Sequence, residues 1–138
     1  MEKICSHELV SQVITGDPVR PHINAETRLG PARDIFHLDH KAYICLVYMD
    51  RVPPDEDCLL NANCGPVAVA YTVWSLEKGM GRKIILDLQA MIRETYRFKR
   101  LVTLSPKTEM ATKFHLSNGA KLIAENMTTN NFEYDIEW

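Results

Sequence analysis

The sequence predicts an α/β fold in which a mixed sheet is flanked by helices, and three stretches carry that reading. Val67 to Trp74 is an almost unbroken apolar and β-branched run, VAVAYTVW, the pattern of a strand buried on both faces. After a turn from Ser75 to Gly81, the residues Ile84, Ile85, Leu88, Met91 and Ile92 recur at helical spacing, which predicts an amphipathic helix from about Met80 to Arg97. Arg100 to Leu104, RLVTL, reads as a short buried strand. The middle of the chain is therefore a βαβ unit, and its two strands are expected parallel or nearly so.

The flanking elements follow from local signals. Ser6 caps a short helix with Leu9, Val10, Val13 and Ile14 on one face, stopped by Gly16 and Pro18. Asp17 to Gly30 is polar and contains proline, and reads as loop or one more short helix. Its Arg20, His22 and Arg28 are expected as solvated loop charges, the sharper alternative being a place in a substrate mouth. Arg33 to Asp39 and Ala42 to Asp50 form a β-hairpin around His40 and Lys41, and His37 and His40 are expected at its surface. Arg51 to Gly65, with Pro53, Pro54 and three acidic residues, is a long loop. After Ser105-Pro106 ends the RLVTL strand, a helix from about Lys107 to Asn118 stops at Asn118-Gly119. Lys121–Met127 and Asn131–Ile136 close the chain as a hairpin across Thr128 to Asn131.

Composition sets the class. A chain of 138 residues is expected as one domain, 1–138, burying roughly 65–70% of its unfolded surface. A net charge of −2 gives no general attraction to nucleic acid or anionic membrane. No run reaches the length of a membrane helix and MEKICSHEL has no signal-peptide core, so a cytoplasmic protein is expected, with Cys5, Cys45, Cys58 and Cys64 as reduced thiols. Cys58 and Cys64 lack companion ligands at zinc spacing, so no metal is expected.

The strand–turn–helix around Gly79 and Gly81 carries the chemistry. Such a turn aims unpaired backbone N–H groups and the positive end of a helix dipole at an anion. The glycines permit close approach, and Lys78, Arg82 and Lys83 add positive charge, which predicts a phosphorylated cofactor here.

Two local patterns, taken with the order of elements from about Arg33 to Ile136, resemble the GNAT superfamily of acyl-CoA-dependent N-acetyltransferases. The family's pyrophosphate loop, Arg/Gln-x-x-Gly-x-Gly/Ala, corresponds to Leu76-Glu77-Lys78-Gly79-Met80-Gly81, where both glycines match and Leu76 replaces Arg/Gln. The family's late helix, Asn-x-x-Ala-x-x-x-Tyr-x-x-x-Gly-Phe, corresponds to the run from Thr108 to Ala120. Ala111 and Gly119 are in register, and Thr108, His115 and Ala120 stand for Asn, Tyr and Phe. The N-terminal part is short for the family, so a first strand is absent or abbreviated. The compact form resembles GNAT-like proteins encoded in bacteriophage genomes.

The resemblance implies a centrally splayed sheet with acetyl-CoA in the gap. It places the pantetheine arm along Tyr71, Thr72, Val73 and Trp74, and the pyrophosphate on Lys78, Gly79, Met80, Gly81 and Arg82, with Thr108 beside the cofactor. His115, in the tyrosine's position, is the candidate that protonates the departing thiolate, and Tyr71 is the other nearby hydroxyl. Each also has a plain reading, a packed histidine and a core tyrosine. Glu77 and Glu109 are general-base candidates or solvated carboxylates. The expected activity is acetyl transfer to a small-molecule or protein amine, without nucleic acid or membrane partners and with a homodimer left open. The departures from the family patterns also fit a catalytically inactive binding or structural protein of the same fold.

Overall fold

The computed structural model describes residues 1–137. In chain order the elements are β1 (Glu2–Lys3), α1 (His7–Val13), α2 (Ala25–Arg28), β2 (Arg33–Leu38), β3 (Ala42–Met49), β4 (Val67–Ser75), α3 (Met80–Thr95), β5 (Arg100–Thr103), β6 (Ser105–Pro106), α4 (Glu109–Ser117), β7 (Lys121–Glu125) and β8 (Thr129–Tyr134). Single 3₁₀ segments lie at Ile14–Gly16 and Glu56–Asn61. The strands form an eight-stranded sheet in the order β1-β2-β3-β4-β5-β8-β6, with β7 paired to β8. β4 and β5 run parallel, and the other pairs are antiparallel.

The sheet separates two cores. On one side Met80, Ile84, Ile85, Leu88 and Ile92 of α3 pack on Ile44, Leu46, Ala68, Ala70 and Phe132. Each large α3 side chain so buried contributes about 1.5–3 kcal/mol, which holds α3 against the sheet without strong intrinsic helix propensity. On the other side Val10, Ile14 and Ala25 of the N-terminal segment cover Ile35, Tyr43, Val69, Tyr71 and Trp74. β3 is buried at every residue, which is why AYICLVYM shows no polar alternation.

The feature that positions the site is a divergence of β4 from β5. β3 pairs with β4 from Val67 to Ser75, and Leu76 N–H still donates to the Lys41 carbonyl (2.7 Å). β5 pairs with β4 only from Val67 to Ala70. The Leu104 N–H donates to the Ala70 carbonyl (3.0 Å), and Ser105 and Pro106 then pair with β8 instead. A β-bulge lies at the parting point: Cys45 faces Thr72 and Leu46 faces Ala70, so Tyr71 is the extra residue. A bulge bends its strand and resets the side-chain alternation. Val69, Tyr71 and Trp74 accordingly join the α1-side core, and Ala68, Ala70 and Val73 the α3-side one.

Local differences from the sequence expectation have physical causes. The abbreviated first strand is β1, two residues pairing with Phe36 and His37. α3 stops at Thr95 because Tyr96 takes a left-handed conformation, φ 54°. Ser105-Pro106 ends β5 as expected but adds a short strand of its own on β8. That pairing draws Thr129 and Asn130 out of the expected turn into the strand, and the turn moves back to residues 126–128. The β2–β3 hairpin turns on Asp39 and His40, both at φ 53°, the two-positive-φ geometry that suits a tight hairpin. His37 is buried rather than at the surface, its ring stacked on His40 with centroids 3.9 Å apart.

Candidate functional site

Where β4 and β5 part, the gap becomes a cleft of about 440 Å³. β4 supplies one wall, Ala70 to Ser75, and the chain from Leu104 to Pro106 the other. Gly16, Pro18 and Val19 bound it on the α1 side, and Thr108, Met110, Ala111, Phe114 and His115 on the α4 side. Past Ala70, the β4 backbone has no strand partner on the side facing β5, so its N–H and C=O groups there offer an edge to which an extended ligand can add.

The structure brings together Tyr71, Thr72, Val73, Trp74, Gly81, Thr108 and His115 around this cleft. Lys78 and Gly79 lie in the exposed turn just beyond it. Gly79 is the N-cap of α3 at φ 86°, a conformation that glycine adopts without strain. The N–H groups of Gly81 and Arg82 belong to the first helical turn, which has no intrahelical acceptors for them. Gly81 is also packed closely, since a Cβ there would stand 3.4 Å from the Phe114 ring. Met80 points its side chain into the core, and its N–H donates to the Glu77 carbonyl (3.2 Å). The Arg82 guanidinium donates to Asn118 Oδ1 (2.7 Å), tying α3 to the end of α4.

His115 sits in the last turn of α4 and is 5% exposed. Its ring lies against Phe132 and Tyr134, and Nδ1 is 2.7 Å from the Tyr134 hydroxyl. Burial pulls its pKa down to about 4, so the ring is neutral near pH 7. Thr108 caps α4, its hydroxyl accepting the Ala111 N–H (3.2 Å). The Tyr71 phenol lies in the α1-side core beside Cys45, and burial raises its pKa well above the ordinary value. Glu77 pairs with Lys41 (3.1 Å) and Glu109 with Lys113 (3.0 Å), both at exposed positions outside the cleft.

The sequence reading missed a buried charged cluster on the α1 side. Arg20 and Arg28 are not solvated loop charges: they are 4% and 0% exposed. Arg28 Nη1 donates to Asp17 Oδ2 (2.8 Å), with both side chains fully buried. Asp17 Oδ1 accepts from the Val19 and Arg20 N–H groups and from the Thr72 hydroxyl (3.0 Å). Burial alone would raise the Asp17 pKa, but the backbone N–H groups and Arg28 outweigh it and hold the carboxyl below its usual value. Arg20 donates to the carbonyl of the bulge residue Tyr71 and, through Nε, to Glu56 (2.9 Å), which also meets His22 Nε2 (2.6 Å). The cluster thus fastens the 17–28 segment to β4 at the bulge. The one sequence signal was Thr72, a polar residue in a strand buried on both faces, which demands a partner.

Comparisons with solved structures identify the architecture. The chain is similar to a GNAT-family protein from Desulfovibrio desulfuricans assigned as an acetyltransferase, with a TM-score of 0.67 at 11% identity over 99% of this chain and 98% of that one. It is similar to GCN5 from Tetrahymena (TM-score 0.56, 11% identity, 95% of this chain and 84% of that one). It is similar also to the PaiA N-acetyltransferase from Thermoplasma acidophilum, solved in complex with coenzyme A (TM-score 0.53, 11% identity, 74% of this chain), and spans 58% of that chain's length. No protein-family model matches the sequence, and no curated protein matches it.

Proposed function

Given that the chain has the fold of the GNAT acetyltransferases, we propose that it transfers the acetyl group of acetyl-CoA to an amine. The observation that carries this is the edge of β4 past Ala70, which among the described residues no strand covers and where only the Tyr71 carbonyl is taken, by Arg20, opening on a cleft that leads to the Gly79–Gly81 turn. The pantetheine arm would add along Tyr71 to Trp74. The backbone N–H groups of Lys78, Gly79, Gly81 and Arg82 would hold the pyrophosphate, with Met80 N–H joining only by leaving the Glu77 carbonyl, helped by the dipole of α3. Leu76 in place of Arg/Gln is tolerable because backbone groups are the principal donors. An arm lying on the β4 edge fits the apolar wall of Val73, Leu104 and Phe114.

In the reaction, the amine nitrogen bonds to the acetyl carbon, the C–S bond breaks, and the proton lost by nitrogen ends on the CoA sulfur. His115 is the side chain we assign to the sulfur. With Tyr134 donating to Nδ1, the neutral ring carries its proton on Nε2 and would hydrogen-bond the developing thiolate from there. The proton that the thiolate takes up is the one the amine nitrogen loses, so the ring stays neutral throughout. Tyr71 contributes its backbone to the cleft, its phenol standing behind as the other proton source. The location we assign is the cytoplasm; among the described residues no helix is long and apolar enough to cross a membrane.

A second reading, an acyl-CoA-binding protein without turnover, is favoured by the burial of His115 against Tyr134. Calorimetric titration with acetyl-CoA, followed by thiol release over a panel of amines, separates the two. Binding with turnover supports the transferase, and binding without turnover the second reading. Absence of binding would sink both.

A further inference from the structure

Among the described residues, two that line the cleft carry a buried polar atom without a hydrogen-bond partner. They are Tyr71, whose hydroxyl lies in the α1-side core beside Cys45, and Trp74, whose indole borders Gly16 at the cleft. Trp74 is 5% exposed, and its indole Nε1 is buried without a hydrogen-bond partner. The side chain lies on the α1 face of β4, stacked on Tyr43 with centroids 5.1 Å apart. Its N–H edge faces Gly16, where a Cβ would stand 3.5 Å from Nε1. Trp74 and Gly16 both border the cleft. A buried donor left unpaired costs about 1–3 kcal/mol, a cost that a ligand oxygen in this position removes.

The walls restrict which oxygen, and which amine. Among the described residues, the cleft lining holds no Asp, Glu, Lys or Arg. Arg20 is committed to the Tyr71 carbonyl and to Glu56, and Arg28 lies 5.9 Å from the Trp74 ring centroid. It directs its N–H groups to Asp17, to the Ile23 and Arg20 carbonyls and to Cys45. A ligand carboxylate would have no counter-charge here, whereas a neutral carbonyl needs only the one donor. Nor does a carboxylate line the cleft to deprotonate an ammonium group or attract a polycation. An amine that is already largely uncharged suits it. At pH 7.5 roughly a third of peptide α-amines are neutral, against about 0.1% of lysine ε-amines.

We infer that the acceptor is the α-amine of a peptide or protein N-terminus, whose first carbonyl oxygen accepts the Trp74 indole N–H. The inference rests on the acetyl-transfer reading above and specifies its acceptor. The α-nitrogen attacks the thioester carbon, the N–C bond forms as C–S breaks, and the nitrogen's proton passes to the sulfur. The acetylated α-amide leaves uncharged.

The test measures thiol release from acetyl-CoA at pH 7.5 with four acceptors: Ala-Ala-Ala amide, free alanine, Nα-acetyl-lysine amide and spermidine. Acetyl-CoA binding is measured separately by calorimetry. The expected result is a kcat/KM for the peptide amide at least tenfold above that of each other amine. Trp74→Phe, which keeps the ring and removes the N–H, is expected to lower the peptide kcat/KM about tenfold, with acetyl-CoA affinity of the variant read alongside by calorimetry. Preference for lysine, spermidine or free alanine overturns the acceptor assignment while leaving acetyl transfer standing. An unchanged peptide kcat/KM in Trp74→Phe overturns the role of the indole. Acetyl-CoA binding without acetylation of any amine overturns the inference in favour of the non-catalytic reading. Absence of acetyl-CoA binding overturns the underlying function as well.

Discussion

His115 Nδ1 of α4 lies 2.7 Å from the hydroxyl of Tyr134 of β8, and both side chains are buried. Burial lowers the imidazole pKa to about 4 and raises that of the phenol, so two neutral groups share this bond at pH 7. The phenol is the better donor and the imidazole the better acceptor, which fixes the tautomer with its proton on Nε2.

One consequence is a pH-dependent stability. The folded pKa lies below the unfolded value of about 6.5, so the folded state resists protonation. The stability is fully present above about pH 6.5 and is lost as pH falls toward 4, by about 3 kcal/mol in all. Urea unfolding of the wild type between pH 7 and 4 should show this loss. In His115→Phe the loss across the same window should be much smaller, and an identical pH profile would contradict the burial of an uncharged ring.

The same substitution probes the chemistry. Under the role proposed for His115 at the sulfur, His115→Phe should lower kcat about 100-fold or more. Acetyl-CoA affinity should change little. If turnover is unaltered from pH 6 to 9, protonation belongs to Tyr71 or water.

Asp17 and Arg28 give a third prediction. Removing one member of a fully buried pair leaves the other charge uncompensated, which costs about 3–5 kcal/mol. Asp17→Ala and Arg28→Met should each lose about that much in urea unfolding at pH 7. The double variant should lose less than the sum, because neither charge is then stranded. Losses near zero would mean that the pair is exposed in solution.

How these features relate to the sequence is uneven, for physical reasons. β4 and α3 were legible because VAVAYTVW and the Ile84–Ile92 spacing follow directly from burial on two faces and on one. The cleft was legible only through family likeness, since a bulge at Tyr71 leaves no mark on an apolar run. The Asp17–Arg28 pair was hidden because a loop charge looks the same in sequence whether it is solvated or satisfied. Trp74 was read for its backbone, and its orphan N–H needed the position of Gly16 to become visible.

The turn gives a fourth prediction. Gly79 is at φ 86° with no atom within 4 Å of a Cβ, and a Gly81 Cβ would press on Phe114 at 3.4 Å. A non-glycine residue at Gly79 is strained by about 1–2 kcal/mol, so the turn should open. Folded Gly79→Val/Gly81→Val is expected to bind acetyl-CoA at least tenfold more weakly. Unchanged affinity would remove this turn from the site.

The central claim is that acetyl-CoA lies along the β4 edge and ends at the α3 N-terminus, and amide hydrogen exchange measured with and without acetyl-CoA tests it most directly. The account predicts that saturating acetyl-CoA slows exchange in residues 71–75 and 78–82 and leaves β1, β2 and β7 unchanged. Protection absent from both segments, or confined to another surface, would contradict it.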